Sequence, residues 1–211
     1  MAFDLQEQEQ IDAAKAFWQQ WGKWISLAVI VVALGYLGYQ GWKYYRSHQA
    51  EQAALLYAPV ETAVTEGDAG KLVASAKALQ DAYPKSGYAA RASLLAARVA
   101  FDKGDTKTAE QELRWVAGNA AEPAVKAVAQ LRLAGLQLDA GQTDAALAQL
   151  ARPIDATFLP QQLELKGDAL LVKGDRQGAR AAYQEAIAKL APDAPQLALL
   201  NVKLDALGGE Q

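Results

Sequence analysis

The feature that most constrains the fold is an uncharged run of nineteen residues, from Trp24 to Trp42. As a helix rising ~1.5 Å per residue, the run would span roughly 28 Å, close to the ~30 Å hydrocarbon core of a bilayer. Four of the five tryptophans lie at or beside its two ends, where amphipathic rings favour the lipid–water interface. The run therefore predicts a membrane-spanning helix rather than a buried core helix.

A cleaved signal peptide fits this run poorly. Signal peptides have a shorter apolar core, of about 7–15 residues, followed by small residues at the cleavage site. Here the segment that follows is bulky and basic, with the sequence WKYYR. We therefore expect an uncleaved anchor.

The predicted organisation has three parts: residues 1–23, a membrane helix over 24–45, and a single domain over 46–211. In the first part, Ile11, Ala14, Trp18 and Trp21 recur at helical spacing, which favours a short amphipathic helix; a solvated tail with an aromatic anchor is an equal alternative. Two lysines precede the span and two cations follow it, so the Lys/Arg rule gives no orientation.

The domain after the span carries nearly balanced charge and no basic cluster, so nucleic acid is not an expected partner. The chain has no cysteine, which suits an oxidising compartment but is only a weak indication of one.

Four similar glycine turns divide this domain at spacings of 37, 37 and 33 residues: Gly67, Gly104, Gly141 and Gly174. A period of this size is typical of stacked helical hairpins, and the tetratricopeptide period is about 34 residues. Glycine tolerates the left-handed conformation at a helix end, and the Asp that follows three of the four can cap the next helix. The fold class is therefore all-α, a membrane helix followed by a tetratricopeptide-like α-solenoid.

Small residues support this register. The tetratricopeptide pattern needs them where paired helices cross, seven residues before and five after each turn glycine. Three repeats comply, with Ala97, Ala134 and Gly167 before the turns and Ala109, Ala146 and Ala179 after them. Val60 and Leu72 break the pattern in the first repeat, 49–84, which we expect to be degenerate or a cap.

No constellation of catalytic or ligand-binding residues is recognisable. His48 is the only histidine, and the glycines around Lys71 are too close together for a phosphate loop. Glu110 and Glu112 point to different faces of a helix and are expected on the surface. We therefore expect no enzyme activity, no cofactor, no metal site and no small-molecule substrate.

Within the span, Gly35, Gly38 and Gly41 fall three residues apart. Small residues allow membrane helices to approach closely, so these glycines are candidate contacts for a partner helix. The spacing differs from the four-residue step of the common dimer motif, and glycine is frequent in membrane helices in any case.

Three segments together resemble one known family: EQEQIDAAKAFWQQWGKW before the span, GWKYYRSHQAEQAALLY at its end, and ELKGDALLVKGDRQGARAAYQEAI in the last repeat. The chain is similar over its full length to the ancillary SecYEG translocon subunits of Gram-negative bacteria. The resemblance implies a single-pass inner-membrane protein with a cytoplasmic N-terminus and a periplasmic repeat domain. It also implies association with the SecYEG translocon and with a membrane-anchored periplasmic chaperone of the parvulin type, and a role in passing secreted polypeptides to periplasmic chaperones.

By the same resemblance, the first helix of each repeat would line a concave groove for an extended chain or a partner helix. The expected groove positions are Arg91, Leu94, Arg98, Phe101, Leu131, Gly135, Leu138, Glu164, Asp168 and Leu171. Phe101, Leu131 and Leu138 have an equal alternative as core between repeats. Arg91 and Arg98 are better groove candidates because charged residues are seldom buried.

Two other functions remain open at this point. The repeats could be a structural scaffold for another envelope assembly, or the cytosolic tail could act in a stress response by binding a soluble regulator.

Overall fold

The computed structural model describes the backbone of residues 2–208, and the side chains of residue 15 and residues 17–208. This part of the chain is entirely helical, without strands, as the sequence predicts. Its helices are α1 (Ala2–Leu55), α2 (Ala58–Glu66), α3 (Ala69–Ala82), α4 (Gly87–Asp102), α5 (Thr106–Asn119), α6 (Pro123–Asp139), α7 (Thr143–Leu150), α8 (Leu159–Val172), α9 (Arg176–Ala188) and α10 (Gln196–Ala206), with a 3₁₀ turn at Ala156–Phe158 before α8.

The chain divides into two units, Met1–Gln49 and Ala50–Gln211, and the division falls inside α1. The first unit contains one helix long and apolar enough to cross a membrane. Its Leu, Ile and Val side chains from Leu27 to Leu37 are exposed on every side of the helix, from 52% at Leu27 to 71% at Val32. A helix that is apolar all round and not covered by protein is typical of a membrane span. The side chains of Ile11 and Ala14 lie outside the described residues, so the predicted amphipathic face stays a prediction.

The second unit is built from helical hairpins joined at the four glycines. All four adopt the left-handed conformation, with φ from 66° at Gly67 to 87° at Gly174. At each turn the amide after the glycine donates to a carbonyl five residues back, as in Asp105 N to Ala100 O at 2.9 Å. This bond satisfies a carbonyl at the end of the preceding helix, and it requires a positive φ at the residue before the donor. That requirement explains why glycine recurs at this position.

Three of the turns also carry the predicted aspartate caps. The side chains of Asp68, Asp105 and Asp175 accept hydrogen bonds from backbone amides three residues on, at 2.8–3.1 Å. Gln142, at the remaining turn, makes no such bond. The turn chemistry of the sequence is therefore confirmed at each of its aspartates.

The small residues lie at the helix crossings, as predicted. Ala109, Ala134, Ala146 and Ala179 are at most 1% exposed. Gly167 is the tightest of these positions, because a methyl group there would meet the ring of Tyr183 at less than 3.0 Å. In the first hairpin the larger Val60 and Leu72 occupy the corresponding places and are fully buried, packed with Ala53 from the end of α1.

α6 is buried on several sides, as its apolar circumference predicts, because it packs against α5, α7 and α8. After the last hairpin, α10 covers the array with Leu200, Leu204 and Leu207 packed against α8 and α9. This closing helix was not predicted from the sequence.

Candidate binding groove

A groove of about 350 Å³ runs between α4 and α6, the first helices of the second and third hairpins, with α5 at its base. Its surface is mostly apolar, with charges at the edges. The lining residues are Leu94, Ala97, Arg98 and Phe101 of α4, Ala109 and Leu113 of α5, and Arg132, Gly135, Leu136 and Asp139 of α6.

The α4 wall presents Leu94, Arg98 and Phe101, which share one face at helical spacing. The Ser86 side chain begins this helix by accepting the Ala89 amide at 3.1 Å. Arg98 Nε donates to both carboxylate oxygens of Asp102, at 2.8 and 2.9 Å. Phe101 remains 46% exposed although it is a large aromatic. The structure therefore brings three of the predicted groove residues together around an open apolar surface.

Arg91, one turn before Leu94, does not line this groove. Its guanidinium lies 5.9 Å from the centre of the Tyr57 ring, and Tyr57 in turn packs on Tyr88 with 5.3 Å between ring centres. Burial raises the pKa of Tyr57, and the positive charge of Arg91 partly opposes that rise. Arg91 is exposed and thus belongs to the edge between the first two hairpins.

The α6 wall contributes Arg132, Gly135 and Asp139. Gly135 is inside the helix, yet a Cβ there would have no other atom within 4 Å. Arg132 and Asp139 were missed from the sequence. Asp139 had a signal, because it is two residues before its turn glycine, as Asp102 is before Gly104.

Leu131 and Leu138 point elsewhere on α6. Both are partly buried and pack against a cluster that includes Ala134, Leu150 and Ala169. The structure does not bring these two residues to the groove, which accords with the alternative reading that they are core.

In the last hairpin, Glu164 and Asp168 are already engaged by the chain itself. Lys203 of α10 donates to Glu164 at 2.7 Å and to both oxygens of Asp168 at 2.8 Å. The Tyr183 hydroxyl also donates to Asp168, at 2.6 Å. Leu171 is 40% exposed and lies one turn further on. None of these three predicted positions lines the α4–α6 groove.

The pKa values of this cluster follow from its contacts. Burial lowers the pKa of Lys203, but the hydrogen bonds to Asp168 and Glu164 outweigh it and raise the net value. Burial, and then the hydrogen bond to Asp168, raise the pKa of Tyr183. Lys203 is therefore charged at neutral pH, and its contacts with Glu164 and Asp168 join α10 to α8.

The surface assignment of Glu112 was wrong. Its carboxylate is buried between α3, α4 and α5 and accepts a hydrogen bond from Gln80 Nε2 at 2.6 Å. Gln80 Nε2 also contacts Ser93 Oγ at 2.8 Å, and Ser93 is fully buried. Burial raises the pKa of Glu112 despite these polar contacts. Glu110, by contrast, forms an ion pair with Arg114 at 2.6 Å.

The membrane-segment glycines have open space beside them. A Cβ at Gly35, Gly38 or Gly41 would meet no atom within 4 Å. A partner-helix role for them remains a prediction. Across the residues with described side chains, no group of three His, Asp or Glu residues is arranged to hold a metal ion.

Comparison with known proteins covers both parts of the chain. A family model described as a tetratricopeptide repeat-like domain matches residues 15–209. The ancillary SecYEG translocon subunit of Neisseria gonorrhoeae is 38% identical over 208 residues, covering 98% of this chain and 100% of its own length. The protein of the same name from Escherichia coli is 36% identical over 64% of this chain and 65% of its own, and that from Haemophilus influenzae is 31% identical over 88% and 91%.

The similarity to the Neisseria protein extends through the apolar helix, the four turns and the closing helix, because it leaves out only 2% of the chain. Together with the helical-hairpin fold, this match decides the family. The chain belongs to the ancillary SecYEG translocon subunit family, with a tetratricopeptide repeat-like domain.

Proposed function

We propose that this protein is a membrane-anchored, non-enzymatic subunit that associates with the SecYEG translocon and helps to pass secreted polypeptides to periplasmic chaperones. The observation that carries the proposal is the similarity to relatives of that name along 98% of the chain. The partner chaperone would be of the membrane-anchored parvulin type that the family resemblance implies.

The apolar helix supports the inner membrane as the location. In the proposed orientation, residues 1–23 are cytoplasmic and the repeat domain is periplasmic, facing the exit of the translocon. The absence of cysteine makes this orientation directly testable, because a single introduced cysteine is the only thiol in the chain. A membrane-impermeant maleimide added to intact spheroplasts should label Gln184→Cys, an exposed site on α9, and should leave Gln6→Cys unlabelled until the membrane is opened. The reverse pattern would contradict the orientation.

The groove supports binding of a polypeptide rather than a purely structural role. Phe101 and Leu94 form an apolar surface, and removing apolar area from water contributes about 25 cal/mol per Å². First helices of stacked hairpins commonly form such concave binding surfaces. A segment of an emerging polypeptide, or of a partner subunit, would bury these side chains.

Site-specific photo-crosslinking in cells tests the association. A photoreactive residue at position 101 should capture translocon subunits, the chaperone or a translocating chain. The same residue at position 111, exposed on the outer side of α5, is the matched control and should capture them less. Capture of unrelated envelope proteins from position 101 would instead favour the scaffold alternative. A separate deletion of residues 1–20 tests the tail: loss of the phenotype with translocon association intact would favour a role for the tail.

A further inference from the structure

We propose that the α4–α6 groove prefers a polypeptide segment in which one carboxylate lies beside a large apolar side chain, with Arg132 binding the carboxylate. This inference rests on the proposed function of the groove and specifies what it binds. It follows from the charges and the open space of the groove itself.

Arg132 is the groove cation that the protein leaves available. Arg98, on the opposite wall, is held by two hydrogen bonds to Asp102. Arg132 is exposed and, within the described part of the chain, makes no hydrogen bond or ion pair. A planar guanidinium presents paired donors that match a carboxylate, so an acidic side chain is the complementary group.

The other end of the groove limits the acidity of the occupant. Asp139 lies seven residues after Arg132 on α6, a distance of roughly 10 Å along the helix at ~1.5 Å per residue. Asp139 also lines the groove and has no ion-pair partner among the described residues. A run of acidic residues along the groove would therefore meet repulsion at this end. One carboxylate near Arg132 fits better than a polyacidic tract.

Gly135 supplies the space for the apolar neighbour. Glycine inside a helix destabilises it relative to alanine, because glycine loses more conformational freedom on folding. No neighbouring atom accounts for the glycine here, since a Cβ would have open space for 4 Å. The missing side chain instead deepens the groove between Arg132 and Asp139, next to Leu136 and opposite the α4 wall. An apolar side chain from the occupant would fill that space.

The preference can be measured with three fluorescent peptides that share an apolar sequence and differ only in a central Glu, Gln or Lys. Binding is followed by fluorescence anisotropy with the full-length protein in detergent micelles. We expect the Glu peptide to bind about tenfold more tightly than the Gln peptide, the size of one charge-assisted hydrogen bond, and the Lys peptide to bind most weakly. A peptide with several consecutive Glu residues should not bind more tightly than the single-Glu peptide.

Two substitutions with matched controls assign the preference to the groove. Arg132→Glu should reverse the order so that the Lys peptide binds best. Arg114→Glu, at an exposed position of α5 that does not line the groove, should leave the order unchanged. Gly135→Leu should weaken all three peptides by filling the groove. Gly118→Leu is its control, because Gly118 also has open space around it but does not line the groove.

The outcomes separate this inference from the proposal beneath it. If all peptides bind equally and Gly135→Leu still weakens binding, the groove binds polypeptide but the charge preference is refuted. The charge preference is also refuted if Arg132→Glu leaves the order intact. If binding survives both Gly135→Leu and Phe101→Ala, the groove is not the polypeptide site, and the charge preference is refuted with it; association with the translocon is tested separately by the crosslinking.

Discussion

Replacing Gly167 with alanine should destabilise the last hairpin by an amount that the structure allows to be worked out. The added methyl would meet the ring of Tyr183, whose own position is fixed by its hydroxyl bond to Asp168. Overpacking a filled site costs about 1–3 kcal/mol. Weakening a hydrogen bond to a charged group adds about 1.5 kcal/mol, while the better helix propensity of alanine returns about 0.5–1 kcal/mol. The net expectation is a loss of about 1.5–4 kcal/mol in the free energy of unfolding.

The same substitution at Gly135 is the matched control. Gly135 is also inside a first helix of a hairpin, but a Cβ there has open space, so only the propensity gain of about 0.5–1 kcal/mol should remain. Urea unfolding of the full-length protein in detergent, followed by far-ultraviolet circular dichroism, measures both changes. Gly167→Ala should lower the midpoint and Gly135→Ala should raise it slightly.

A double-mutant cycle ties the loss to the proposed contact. Tyr183→Leu removes the ring that would meet the new methyl, so Gly167→Ala should cost much less in that background. If Gly167→Ala unfolds at the wild-type urea concentration, or costs as much with Leu at position 183, the steric account of this crossing is wrong.

Three further predictions concern the turns and the polar clusters. Glu112→Gln should stabilise the protein near pH 7, with a smaller gain near pH 4. Burial raises the pKa of Glu112 in the folded protein above its usual value of about 4.3. Protonated Glu112 therefore contributes its full stabilisation below the unfolded-state pKa, and this contribution is lost as the pH rises through the folded-state pKa. Gln, which stays neutral, avoids that loss. A gain that grows on acidification would contradict this, as judged from thermal midpoints of both proteins across the pH range. Gly104→Ala should lower the free energy of unfolding by about 1–2 kcal/mol because φ is 79°, and Gly104→Asn by less, in the same urea assay. Lys203→Met keeps the apolar stem but leaves Glu164 and Asp168 without their cation. The free energy of unfolding should fall by about 1–3 kcal/mol, and proteolysis after α9 should become faster. Cleavage at the wild-type rate would show that this cluster does not hold α10.

The features that sequence reasoning captured are those fixed by local chemistry. A left-handed turn favours glycine, and an Asp at a helix start can accept a hydrogen bond from an amide three residues on. The conformations of Gly104 and Asp105 could therefore be predicted from their residue types. The small residues at the crossings, such as Ala134, could also be predicted, because the repeat period indicates where the two helix backbones approach each other.

The features that it missed depend on which helices meet. Glu112 looks like an ordinary surface residue of an amphipathic helix until α3 and α4 place Gln80 and Ser93 around it. α10 has apolar residues all round and no turn glycine before it, so nothing marked it as the helix that covers α8 and α9. Glu164 and Asp168 were predicted as groove positions because α10, whose Lys203 binds both, was not predicted.

Two neighbouring repeat positions have different roles in this domain: one is structural, and the other differs from hairpin to hairpin. Seven residues before the turn glycine, Ala97, Ala134 and Gly167 are all small, because the last three hairpins cross their helices there. Six residues before it, the side chain is free of that constraint, and the three hairpins carry Arg98, Gly135 and Asp168.

Each of these three residues has a different effect in the structure. Arg98 pairs with Asp102 on one groove wall, Gly135 opens the other, and Asp168 binds Lys203 and so fastens the helix that ends the array. The same register position therefore contributes to the groove between α4 and α6 and, at α8, binds the closing helix. Because the framework residues repeat and these do not, this position gives each of the last three hairpins a different contact while their helix crossings stay the same.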